Sequence, residues 1–384
     1  RLQMVKSALV ALFSLVLIAG VPASAAQQSE KTTATTTQTR SVVRTKAAKV
    51  SAHTKRKSSA RRTSSQTSTV SKASIDTREK LVKQVSVVRG KRRVSYQRVM
   101  AKPSVPAVPP VLSAGEVAGL NLVHDPLDLR SNAALVVDVN NSKVLFDKNS
   151  HVALPIASLT KLMTSLVVVE AHQDMDEMIE VTNEDIDHVK NTHSRLWIGA
   201  RMTRANLLHI ALMSSENRAA SALGRNYPGG LPAFVAAMNA KAKSLGMMDT
   251  HYVEPTGLSS QNVASARDLA KLVVAAHKHP LINQFSTDEA YLLDLGDRSL
   301  QYRTTNQLVK NADWDIGLQK TGYITEAGRC MVMLTKVAGR PLVMIFLDSK
   351  GKMSRIADAG RVRKWVSDLR AQQVSDIEKM LNQG

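Results

Sequence analysis

Three short motifs place hydroxyls and amines at spacings that could break an amide: Ser158-Leu159-Thr160-Lys161, Ser215-Glu216-Asn217 and Lys320-Thr321-Gly322. A serine three residues ahead of a lysine shares one helix face with it. The amine can then take the hydroxyl proton, provided burial keeps it neutral. In the second motif a hydroxyl and a side-chain amide can face one cleft. In the third, Gly322 lets a substrate backbone approach closely and Lys320 adds positive potential. Singly these spacings say little, because Ser349-Lys350-Gly351-Lys352 repeats the first and Ser260-Gln261-Asn262 repeats the second. Lys-Thr-Gly occurs once, and the three in this order are the informative pattern.

The elements around the motifs must hold them together. Pro155 and the apolar run Leu166-Val167-Val168-Val169 predict a helix that carries Ser158 and Lys161 in its first turn. Helices over Leu207–Met213 and Ala219–Leu223 flank the second motif, and a strand over Gly317–Tyr323 carries the third. Ala133–Val139 and Lys143–Asp147 around Asn140-Asn141-Ser142 read as a hairpin. Further strands are expected at Arg195–Ile198, Tyr302–Leu308, Gly328–Ala338 and Arg340–Asp348, and further helices at Leu231–Leu245, 266–278 and Ile356–Leu381. Strands at both ends with helices between them predict an α+β fold, with an antiparallel sheet flanked by helices and a helical subdomain.

Charge divides the chain. Of the net charge of +20, residues 27–112 hold most, with 20 Lys and Arg against Glu30, Asp76 and Glu79, whereas residues 113–384 are almost neutral. Residues 1–26 read as a cleavable export signal: Lys6, then the apolar Ser7–Gly20, then Ala23-Ser24-Ala25. Residues 27–112 read as a disordered basic Ser/Thr/Lys/Arg-rich and Pro-rich linker, with weak Val alternation over 76–101, and residues 113–384 as the catalytic domain. Export makes nucleic acid an unsuited partner for the tail, whose charge fits electrostatic association with an anionic envelope. The single cysteine, Cys330, excludes an internal disulfide and reads as a buried strand residue. His188, His193, His251, His277 and His279 lack ligand spacing, so neither metal nor cofactor is expected.

The ordered trio resembles the signature of the penicillin-recognising serine transpeptidase and β-lactamase superfamily. Leu154–Thr164, Ala211–Ala220, Tyr227-Pro228-Gly229-Gly230 and Glu254-Pro255-Thr256-Gly257-Leu258 resemble its D-alanyl-D-alanine endopeptidases of the penicillin-binding protein 7 type, over roughly residues 130–370. The resemblance implies Ser158 as acylated nucleophile, Lys161 as base and Ser215 as proton carrier. It also implies Asn217, Lys320, Thr321, Gly322 and Tyr323 as substrate-binding positions, with the Ser158 and Tyr323 N–H groups as oxyanion donors. The implied substrates are peptidoglycan stem peptides and cross-links in the periplasm, with β-lactams as covalent inhibitors. A D-alanyl-D-alanine carboxypeptidase is the alternative within the family. A cell-wall-binding scaffold with a vestigial catalytic body is the alternative from another class. The end of the chain soon after a charged helix gives no expectation of a carboxy-terminal β domain or membrane anchor.

Overall fold

Alternation along Ser131–Asp138 sends Ala133 and Leu135 to one side and Ala134 and Val136 to the other, and all four are buried. This strand, β1, must therefore lie inside a layered body. The computed structural model describes residues 79–88, 90–100 and 111–382; the expected export signal and the basic stretch to residue 78 lie outside them. The chain divides into two units at Ala101.

In the second unit β1 is joined by β2 (Val144–Lys148), β3 (Asp315–Ile324), β4 (Gly328–Val337) and β5 (Arg340–Ser349). They form one antiparallel sheet in the order β3–β4–β5–β1–β2, with register pairs such as Leu135↔Ile345 and Gly322↔Cys330. The hairpin β1–β2 and the late strands thus meet in a single sheet, as the sequence implied. Strand β3, which carries Lys320-Thr321-Gly322, is its edge. Cys330 is buried in β4.

The helices α1 (Thr160–Glu170), α2 (Arg204–Met213), α3 (Asn217–Arg225), α4 (Gly230–Ser244), α5 (Ala266–Ala276) and α6 (Pro280–Thr287) share one apolar core with one face of the sheet, on which α5 and α6 pack directly. Nine of the eleven residues of α1 are buried, so it is the axis of this helical layer. The other face packs on α7 (Ser354–Asn382) through Ala359, Val362 and Val366, with Trp365 edge-on to Phe146 at 6.1 Å. Among the described residues no helix is long and apolar enough to cross a membrane.

Several expectations shift. Ser158 lies in a 3₁₀ turn, Ala157–Leu159, just before α1. Arg195–Ile198 is loop, not strand. The strand expected over Tyr302–Leu308 is instead Ser299–Arg303, paired with Ala290–Asp294, followed by a 3₁₀ turn at Gln307–Lys310. Beyond the helix expected over 266–278, Pro280 starts a further helix, α6, because proline suits the first helical position. In the first unit, part of the expected disordered linker is a hairpin of Glu79–Val88 with Lys91–Met100, closed at Gly90, where φ is +74°. Its Val85, Val94 and Tyr96 are exposed. Val85 pairs with Val94 across the two strands.

Layers of this kind need pins. Asp358 of α7 is fully buried; its carboxylate accepts from Arg130 N at 3.0 Å, Ser131 N at 2.9 Å and Ser131 Oγ at 2.6 Å, fixing the helix to the start of β1. Removing it leaves buried donors unpaired. Asp358→Ala should cost about 3 kcal/mol in denaturant melts, and Asp358→Asn less, since an amide oxygen still accepts.

Candidate active site

The backbone at the end of the short strand Leu154–Pro155 turns sharply. Ala157 takes φ +49°, a left-handed conformation that alanine adopts only under constraint, and it presents Ser158 to the cleft. Two glycines press on this turn. A Cβ on Gly257, whose φ is +82°, would lie 1.9 Å from Ala157 O, and one on Gly322 would lie 2.9 Å from Ser158 N. The edge of β3 therefore abuts the Ser158 amide directly. Thr160 Oγ1 donates to Ala157 O at 2.9 Å and fixes the turn from the helix side.

One helical turn on, Lys161 is wholly buried. Its Nζ lies 3.0 Å from Ser158 Oγ, 2.8 Å from Asn217 Oδ1 and 2.6 Å from Thr256 O. The last two oxygens can only accept. A neutral amine would give its two protons to them and turn its lone pair on the Ser158 hydroxyl, which is the geometry of a general base. Burial lowers the Lys161 pKa to about 8, against the opposing pull of Glu254, Glu216 and Asp187.

Lys320, also wholly buried, donates to Ser215 Oγ at 2.9 Å and to the Thr321 carbonyl at 2.8 Å. Burial, then repulsion from Lys161 and Arg355, pushes its pKa well down. Ser215 is held at φ +64° between α2 and α3, a second strained non-glycine residue at the cleft. Thr321 Oγ1 shares a 2.7 Å hydrogen bond with Thr305 Oγ1. The structure therefore gathers Ser158, Lys161, Ser215, Asn217, Lys320, Thr321 and Gly322 around one cleft. Tyr323 follows on β3, its ring half exposed. Ser349 and Ser260, of the two competing matches, do not join it: Ser349 bonds Ser354 Oγ at 2.7 Å on the α7 side.

Other residues shape the site without having been assigned a role from sequence. Glu254 Oε2 accepts from Thr256 N at 2.6 Å, and Glu254 Oε1 from Gly257 N at 2.7 Å and Asn262 Nδ2 at 3.0 Å, which aims the Thr256 carbonyl at Lys161. The resemblance included this segment but gave it no chemistry. Asp187 takes the N–H and hydroxyl of Thr192 at 2.8 and 2.7 Å, and Thr192 Oγ1 in turn accepts from Asn217 Nδ2 at 2.9 Å, which fixes the amide's orientation toward Lys161. Arg355, about nine-tenths buried, reaches the Gly322 carbonyl at 3.4 Å. These links run across 25 residues or more for Asn217 and Arg355, and no local spacing signals them. Among the described residues no cluster of His, Cys, Asp or Glu could hold a metal ion.

Two outcomes follow for this geometry. The rate of Ser158 acylation by a β-lactam, followed by stopped-flow, should climb about tenfold per pH unit below pH 8 and flatten above it, because only neutral Lys161 can accept the proton. A flat profile between pH 6 and 9 would exclude Lys161 as the base. Gly257→Ala should slow acylation by at least about a hundredfold, since a 1.9 Å contact with backbone forces the Ser158 turn to move.

The family model described as D-alanyl-D-alanine carboxypeptidase matches residues 121–351. The chain is 45% identical over 251 residues to a D-alanyl-D-alanine endopeptidase of Pseudomonas aeruginosa, covering 65% of this chain and 80% of that protein. It is 41% identical over 278 residues to one of Escherichia coli, covering 72% and 89%. The crystal structure of the Streptomyces K15 DD-transpeptidase shares the fold at 24% identity, with a TM-score of 0.59 over 63% of this chain and 98% of that one. With two buried lysines set against two serines at the edge of such a sheet, and a match spanning 121–351, the chain belongs to the D-alanyl-D-alanine carboxypeptidase family of serine peptidases, S11.

Proposed function

We propose that Ser158 is the nucleophile of a D,D-endopeptidase that hydrolyses the D-alanyl–meso-diaminopimelate cross-links of peptidoglycan. The pairing of each buried lysine with one serine hydroxyl, Lys161 with Ser158 and Lys320 with Ser215, carries this reading. Ser158 Oγ attacks the D-alanyl carbonyl as its proton passes to Lys161. The carbonyl oxygen gains charge beside the Ser158 and Tyr323 N–H groups, each donor contributing about 3 kcal/mol in the transition state. The carbon–nitrogen bond then breaks, and the departing amine takes a proton relayed through Ser215. Lys320 and Thr321 hold the carboxylate next to the scissile bond, and Asn217 bonds the peptide. Water, activated by the same Lys161, attacks the acyl-enzyme and frees the D-alanyl carboxylate and Ser158.

A cross-link keeps a carboxylate next to the amide, as a D-alanyl-D-alanine terminus does, so one site can read both. The curated relatives from P. aeruginosa and E. coli are named endopeptidases, which favours the cross-link. In this reading the catalytic body is residues 113–384, with residues 1–26 as export signal to the periplasm and the basic stretch before the body as a tether to the anionic envelope.

Fluorescent penicillin should label the full chain, and Ser158→Ala should abolish labelling; an unlabelled wild type would sink the enzymatic reading. Purified cross-linked muropeptide dimers should be cleaved faster than pentapeptide monomers. The reverse order would make the protein a carboxypeptidase with the same machinery.

A further inference from the structure

Beyond Tyr323 the edge of β3 opens onto a cavity of about 260 Å³, lined among others by Tyr323, Thr325, Arg329, Lys352, Glu116 and Asp348. Its charges are unevenly satisfied. Asp348 Oδ2 already accepts from Ser113 Oγ at 2.7 Å and Asn132 Nδ2 at 3.0 Å, and burial raises its pKa. Glu116 is tied to Lys350 at 2.6 Å. Arg329, in contrast, has its guanidinium stacked 4.5 Å from the Tyr323 ring centre, and among the described residues neither it nor Lys352 forms an ion pair. A planar cation fixed on an aromatic face, with its edge donors unspent, is built to receive a carboxylate.

The register of a substrate along β3 says which carboxylate. In the proposed reaction the carboxylate of the leaving residue sits at Thr321 and the reacting carbonyl at Ser158 and the Tyr323 N–H. The acyl side of the peptide therefore extends past Tyr323, pairing with the exposed end of an edge strand. An extended chain advances about 3.3 Å per residue. The acyl D-alanine then lies opposite Tyr323, and the residue before it, the diamino acid of the stem, lies opposite Ile324 where β3 ends, so that its long side chain can reach past Thr325 to the cavity.

We propose that this cavity is the subsite for the diamino acid's side chain, with Arg329 the partner of its terminal carboxylate; this rests on the reading of the site given under Proposed function. Arg329 is thereby a specificity-determining residue, remote from the bond that breaks.

The test compares two synthetic peptides ending in diaminopimelyl-D-alanyl-D-alanine, one with the side-chain carboxylate free and one with it amidated, by kcat/KM on the full chain. Wild type should favour the free acid about tenfold or more, mainly through KM, and Arg329→Gln should erase the preference by slowing only the free acid. Arg329→Lys should keep part of it. Acylation by benzylpenicillin, which has no such side chain, should be unchanged within about twofold in both variants, reporting an intact site. Equal turnover of the two peptides by wild type overturns the subsite whatever the variants do, and so does a preference that survives in Arg329→Gln. If wild type takes neither peptide nor penicillin, the proposed function fails instead, and the two failures are distinct.

Discussion

Two amines are buried within one cleft with, among the described residues, no carboxylate in contact, and the rest of the site answers to that. Lys161 faces a hydroxyl, an amide oxygen and a backbone carbonyl; Lys320 faces a hydroxyl and a backbone carbonyl. Such oxygens satisfy N–H donors without the full charge that would hold a lysine protonated at every pH. Glu254, Glu216 and Asp187 act on Lys161 only through the field, and burial outweighs them. Were one of these acids in direct contact, Lys161 would remain an ammonium and Ser158 an ordinary alcohol.

Keeping carboxylates near but not touching takes structure. Glu254 spends its oxygens on the backbone of its own loop, Asp187 on the loop that ends in Thr192, and Glu216 on Ser194 Oγ at 2.7 Å. Each acid is thereby a builder of the site rather than a counter-ion. The left-handed Ala157 and Ser215 are part of the same economy of space. Each costs on the order of 1–3 kcal/mol. The fold over-determines both: the Ala157 turn is closed between Gly257, Gly322 and the Thr160 hydroxyl, and Ser215 joins two helices whose buried faces leave it no other path.

How much of this was legible in the sequence depends on the range of the interaction concerned. The central sheet could be read because β1, β4 and β5 are buried on both faces and appear as unbroken apolar runs. The three motifs could be read because each is confined to a few residues and their order restricts chance. The 3₁₀ turn at Ser158 could not, since helical periodicity continues through it and the contacts with Gly257 and Gly322 that press on the backbone there come from about a hundred residues or more away. Thr256 was out of reach for a related reason, because its contribution is a main-chain carbonyl, identical in every residue type. Tyr302, expected in a strand running to Leu308, shows how Asn306 ends the pairing: its side chain accepts from Leu308 N at 3.1 Å and starts a 3₁₀ turn.

The same burial links catalysis to stability, and the sign can be worked out. An unfolded chain would hold the Lys161 proton up to its ordinary pKa of 10.5, whereas the folded chain releases it near 8. Between those values the unfolded state binds more protons, so stability rises with pH through that window, and below it the fold carries the whole cost of about 3 kcal/mol. The protonated amine is therefore the form that the fold opposes and the neutral amine is the form that the proposed reaction needs. Both demands are met by the one act of closing α1, the Glu254 loop and the edge of β3 over a single side chain, so a substitution that lets water reach Lys161 should relieve the fold as it disables the proposed base.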